Sequence, residues 1–363
     1  MMAWIVPVIY FNLSFPETNW DWDRIDTQNI YFPTSFAWGT ATAAHQVEGN
    51  NTNNNWYDWE HQLDENNQPR IHNGDKSILA ADHWNRYPDD IKLMKDLGVN
   101  HYRFSIEWSK IEPQNGNYNV ESIQHYRDLC DSLIKNNITP VVTLHHFTHP
   151  TWFEKLGAFE KKENIDHFIE YSEYAFNNLK DLVPIWCTIN EPSVFVSQGY
   201  FNGIFPPGKK DPVLAATVLE NLLFAHTKTY KHLKSLNGGD NAQIGLVKNI
   251  FQFDPLRRWH ILDWAFSKVL NNVFTTHAIV FNNRNGIFNK MADMHKPFED
   301  VYYAFSSSGA ASDLILSTMT LEYTGYICSK LLYGQYESHS DIDGGKASYN
   351  GDMFNRFDKF CLE

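Results

Sequence analysis

Two hydrophobic periods alternate along the chain. Short apolar runs at 36–44, 99–108, 138–144, 185–190 and 242–248 read as strands. Between them, apolar residues recur at three- and four-residue spacing over 82–98, 118–136, 164–179 and 215–233, which read as helices. In the first helix Ile91, Met94 and Leu97 mark the buried stripe and Gly98 supplies the stop. Strand and helix alternating at this spacing predict a parallel sheet with right-handed crossovers. Five such units without a nucleotide-binding fingerprint predict an α/β fold of the TIM (β/α)8-barrel type, incomplete at its C-terminal side. Residues 1–30 read as an N-terminal extension, 31–302 as the barrel domain and 303–363 as a divergent tail. The Asn-rich stretch from Gly49 to Asn55 is expected to be a solvated loop.

In a parallel barrel the chemistry collects at the C-terminal ends of the strands. The groups expected there are Gln46, Arg103, His146, Asn190 and Glu191, the last followed at once by Pro192, which prevents further pairing. Each has a simpler reading. Glu191 would serve as a turn or cap, Arg103 as an ion-pair partner of Glu107, and Gln46 as a loop residue. His145 reads as a core histidine, and His226 as a helix-packing hydrogen bond.

Composition narrows the partners. A net charge of −13 argues against nucleic acid and against an anionic membrane, both of which need a basic face. With 12 Trp and 15% aromatic residues, carboxylates and His, the chain suits a neutral small molecule with apolar C–H faces, such as a sugar. Cys130, Cys187, Cys328 and Cys361 lack metal-binding spacing and read as reduced thiols, and no cofactor or metal is expected. The apolar run Ala3–Phe11 is too short to span a membrane, contains Pro7 and is a poor signal peptide, so a cytoplasmic protein is expected. The sequon Asn137-Ile138-Thr139 lies in a segment that reads as buried. No feature of the sequence predicts an oligomeric state.

Several motifs occur together in a fixed order. They are Phe36-Ala37-Trp38-Gly39-Thr40-Ala41, Gln46-Val47-Glu48-Gly49, Tyr102-Arg103-Phe104-Ser105-Ile106-Glu107-Trp108-Ser109, Thr143-Leu144-His145-His146-Phe147 and Thr188-Ile189-Asn190-Glu191-Pro192. Gly199-Tyr200, Pro207-Gly208 and Ala225-His226 follow. In order and spacing the chain resembles a family 1 glycoside hydrolase, the β-glucosidase group, over roughly residues 32–290. The resemblance implies a retaining β-glucosidase-type enzyme of carbohydrate metabolism that hydrolyses O-glycosyl bonds of a small β-glycoside. By the same resemblance Glu191 matches the general acid/base and Asn190 the group holding the sugar 2-hydroxyl. Gln46 and His146 match residues gripping other hydroxyls, and Arg103 matches the cation beside the nucleophile carboxylate. Phe147 stands where the family usually has Trp, which keeps an apolar platform without the indole N–H.

The family's Ile/Val-Thr-Glu-Asn-Gly segment, which carries the nucleophile, has no match in the chain. All 12 Trp and 15 Pro lie before residue 302, and 303–363 is rich in Ser, Gly and Tyr instead. Leu314-Ile315-Leu316 is expected to form a short strand or helix, and Glu322 is the nearest candidate for the nucleophile. A truncated, inactive relative that binds sugar weakly is therefore the alternative.

Overall fold

The computed structural model describes residues 2–14, 31–251, 254–274 and 314–320. Two compact units emerge, one built on Ala37–Asn249 and the other on the described residues of Met1–Phe36 and Ile250–Lys290.

In the second of these, α1 (Met2–Ser14) is a helix with Pro7 inside it, where the sequence offered no clear period. It packs on α11 (Ile261–Phe274). The Phe11 and Trp264 rings stack at 5.4 Å, and Trp4 Nε1 donates to Trp259 O at 3.0 Å. Among the described residues no helix is long and apolar enough to cross a membrane.

The first unit is a parallel sheet wrapped by helices. Its strands are β1 (Gly39–Thr42), β2 (His101–Ser105), β3 (Thr139–His145), β4 (Ile185–Asn190) and β5 (Gln243–Phe251). Each pairs in parallel with the next, so sheet order follows chain order, as in a barrel wall. A further strand, β6 (Leu314–Thr320), adjoins β5, so the Leu314-Ile315-Leu316 segment is a strand.

The crossover helices fall where the periodicity places them: α4 (His83–Leu97), α6 (Val120–Lys135), α8 (Ile165–Leu179) and α10 (Pro212–Ser235). Gly98 ends α4 at φ 83°, a left-handed conformation that glycine adopts without a Cβ penalty. Asn119 and Asp211 cap α6 and α10 with their side-chain oxygens. The wall between sheet and helices is aromatic. Trp108, Trp186, Tyr171, Phe168 and Phe176 are fully buried, and Trp108 stacks on Tyr171 at 4.7 Å.

Two expectations fail here. Asn51, Asn54 and Asn55 are buried rather than solvated. An Asn side chain carries both donor and acceptor, so a run of them can satisfy buried loop backbone where apolar residues cannot. Asn55 Nδ2 donates to Phe147 O at 3.1 Å while its Oδ1 accepts from His149 N at 3.0 Å. In the sequon, Asn137 is exposed at a left-handed turn of φ 60°, and only Ile138 beyond it is buried.

Candidate active site

The sheet has one face toward the helices and one away from them. Thr188 faces α10, where its Oγ1 and His226 Nδ1 lie 2.7 Å apart, and Trp186 packs on Phe176 of α8. Strand alternation therefore turns Ile185 and Cys187 the other way, into a buried cluster with Val141 and Val247. Arg103 shares that inner face, being at the register level of Val141.

Asn190 lies three residues beyond Cys187, and regular alternation would turn it outward. Pairing with β5 advances from Cys187–Gly245 to Asn190–Val247, three residues against two, which is a β-bulge. The extra residue returns Asn190 to the inner face. There its Oδ1 accepts a 3.1 Å hydrogen bond from Arg103 Nη2, and its Nδ2 lies 3.4 Å from Glu191 Oε2.

Glu191 follows the strand directly, with its N–H on Val247 O at 2.9 Å. Its φ of 43° and ψ of 64° are left-handed, an uncommon conformation for a residue with a side chain and one ahead of a proline. Such strain amounts to about 1–3 kcal/mol and concentrates at functional sites. Pro192 then opens α9 (Pro192–Val196), which runs into a π-helical turn, Ser197–Phe201. Gly199 in that turn is obligatory, since a Cβ there would lie 2.6 Å from Pro206 O.

Arg103 does not pair with Glu107, contrary to the simpler reading. Glu107 is fully buried and already accepts from Ser109 Oγ at 2.6 Å, Thr148 Oγ1 at 3.0 Å and Asn54 Nδ2 at 3.3 Å. Arg103 Nε is buried without a hydrogen-bond partner. Burial, and then the charge of Arg103, push the His146 ring down to about 3, so His146 is neutral and close to the guanidinium. Its Nδ1 is likewise buried and unpartnered.

Phe147 beside it has φ 70° and meets the His146 ring edge-on at 5.2 Å. Phe205, 6.0 Å from Phe147, and Trp56, 4.9 Å from Phe205, extend a half-buried aromatic rim. His145 points into the aromatic core, 5.1 Å from Phe159 and 5.5 Å from Phe195. His226 is buried on Thr188, so both histidines are packing groups.

Gln46 stands on α2 (Ala44–Val47), just past β1, exposed. Hydrogen bonds or electrostatic contact join Arg103, Asn190, Glu191 and His146, whereas Gln46 makes no side-chain hydrogen bond to the other four. Glu322 lies outside the described residues, as do Cys328 and Cys361. Among the described residues no group of three His, Cys, Asp or Glu side chains is placed to hold a metal ion. Sequence reasoning missed Asn54 and Thr148 as buried polar groups, and gave Glu107 to Arg103 rather than to them. The available signal was Glu107 itself, an acidic residue between Ile106 and Trp108 just past the strand.

Comparison with known proteins finds relatives that match much of the chain. Beta-glucosidase A of Acetivibrio thermocellus is 40% identical over 232 residues, which are 62% of this chain and 50% of the relative. Coniferin beta-glucosidase of Pinus contorta is 34% identical over 281 residues, 70% of this chain and 52% of the relative. The chain thus spans about half the length of the curated relatives it matches. The structure of the beta-glucosidase from Thermotoga maritima in complex with castanospermine superposes with a TM-score of 0.71 at 29% identity, covering 79% of this chain and 65% of that one. The model of glycosyl hydrolase family 1 matches residues 28–296, and the chain belongs to that family.

Proposed function

We propose that this chain is a β-glucosidase-type glycoside hydrolase of carbohydrate metabolism acting on a small β-glycoside. Glu191 protonates the departing oxygen, Asn190 holds the sugar 2-hydroxyl, and Gln46 and His146 grip other hydroxyls. The observation that carries this reading is the bulge in β4, which turns Asn190 onto Arg103 and leaves Glu191 strained at the strand end. A neutral His146 fits a hydroxyl-binding role, because a neutral imidazole both donates and accepts. Free, buried Cys130 and Cys187 are in keeping with a cytoplasmic setting.

Retaining hydrolysis also needs a carboxylate nucleophile about 5 Å from the acid/base. One observation favours a second reading, that of an inactive sugar-binding relative. Among the described residues no carboxylate forms a salt bridge with Arg103, and its Nε has no partner. Labelling with a fluorinated glucoside that traps the glycosyl-enzyme, followed by peptide mapping, separates the two. A stoichiometric adduct on Glu322, or on another carboxylate beyond residue 302, supports hydrolysis. No adduct, with glucoside binding retained, supports the inactive relative.

A further inference from the structure

α2 is four residues long, far too short to be stable alone, and the side chain it offers to solvent beside the site is Gln46. Yet it is held from three sides by buried polar groups. At its start Ala44 N donates to Ser105 Oγ at 2.7 Å. At its end Glu48 accepts from Tyr126 Oη at 2.7 Å and from Lys110 Nζ at 3.0 Å. From the flank His45, itself buried, lies 2.9 Å through Nε2 from both Glu60 Oε1 and Ser77 Oγ, and 3.1 Å through Nδ1 from Asn54 Nδ2.

Ser77, His45 and Glu60 are the three residue types of a nucleophilic triad, but the carboxylate and the hydroxyl share one ring nitrogen. The ring therefore cannot take a proton from Ser77 while being oriented from its far side, as such a triad requires. The cluster continues in another direction. Asn54 Nδ2 also reaches Glu107 Oε1 at 3.3 Å, and Glu107 Oε2 accepts from Thr148 Oγ1 at 3.0 Å, two residues from His146. Asn54 Oδ1 is occupied by Tyr57 N at 2.8 Å at the start of α3 (Asn55–Glu60), so its amide cannot turn over without uncapping that helix. Its N–H groups must point at His45 and Glu107. The His45 ring is thereby confined to the form with a bare Nδ1 and a proton on Nε2.

Resting on the β-glucosidase reading, we propose that His45 is a positioning residue for sugar binding. Through Glu60 and Ser77 on one side and Asn54, Glu107 and Thr148 on the other, it fixes Gln46 relative to His146. An exposed ligand-binding amide on a single turn needs such a supporting shell to hold its geometry.

Nitrogen NMR of the full chain with labelled histidine gives the first test. His45 at neutral pH carries its proton on Nε2 alone, and a proton on Nδ1 would overturn the proposal. The second test is titration with methyl β-D-glucopyranoside. His45→Phe weakens binding about tenfold, and His45→Gln, which restores a side-chain donor, recovers most of it. A folded His45→Phe chain with unchanged affinity would refute positioning. If the unmodified chain binds no glucoside, the functional reading falls, and Gln46 is followed directly by amide relaxation. Its backbone is ordered in the unmodified chain and mobile in His45→Phe, and equal order in both would refute the proposal.

Discussion

Arg103 and Asn190 are joined by a 3.1 Å hydrogen bond across the inner face of the sheet, from the middle of β2 to the last residue of β4. β3 lies between the two strands, so the bond spans an intervening strand. It ties the residue just before the proposed proton donor to a cation two sequence motifs away. Asn190→Ala removes this hydrogen bond from a largely buried guanidinium whose Nε is already unpartnered. The expected loss is about 2 kcal/mol, as for hydrogen bonds to charged groups, seen as a lower urea midpoint at unchanged m-value.

Under the second reading, that of an inactive relative, the chain is expected to show negligible turnover of aryl β-glucosides. Azide or formate, by replacing a carboxylate nucleophile, should restore slow release of an α-configured product, and Glu191→Gln should leave that rescued step intact for good leaving groups. For poor leaving groups, which need a proton, Glu191→Gln should slow it by about 10²–10⁴. Product configuration by NMR checks both.

Acid should destabilise the fold early. Burial lowers His145 well below its usual value, His146 to about 3, and His125 and His226 to about 4. Above about pH 6.5 these rings are neutral folded or unfolded and contribute nothing. As pH falls below that, the unfolded chain takes up as many as four protons that the folded chain refuses, so stability drops toward pH 4. Glu48, Asp58 and Glu112, raised by burial, offset part of this. Urea midpoints at pH 7 and pH 5 should differ, with pH 5 the lower, and equal midpoints would refute the account.

Trp108 is fully buried against Tyr171, Phe153 and Trp152, and its Nε1 donates to Glu112 at 2.7 Å. Trp108→Ala should cost about 3–5 kcal/mol, since it opens a cavity and strands a buried carboxylate. Circular dichroism across a denaturant series reads this directly.

Strands and crossover helices were legible because each has one apolar stripe of fixed period, and Gly98 announced its own stop. Gln46, His146, Asn190 and Glu191 were legible as polar groups at or just past strand ends, whereas Arg103, expected there too, lies in the middle of β2, and their expected roles came from the family motifs alone. What the sequence hid was side-chain direction. Nothing in Cys187-Thr188-Ile189-Asn190 distinguishes a bulged strand from a regular one, and a regular strand would have turned Asn190 toward α10. The Asn-rich segment was misread for a related reason. Its polarity suggested water, but the partners of Asn54 and Asn55 are residues distant in the chain, which local composition does not reveal.

The bulge in β4 makes the site a matter of counting rather than of strand strength. Ile185 to Cys187 lie upstream of the extra residue and pack whether or not it is taken up as a bulge, so pairing the same residues one for one with β5 would leave the inner cluster filled. It would nevertheless rotate everything downstream by half a turn. Asn190 would face the helices and Arg103 would lose its acceptor. Such a register would keep the sheet and take apart the contact at its rim.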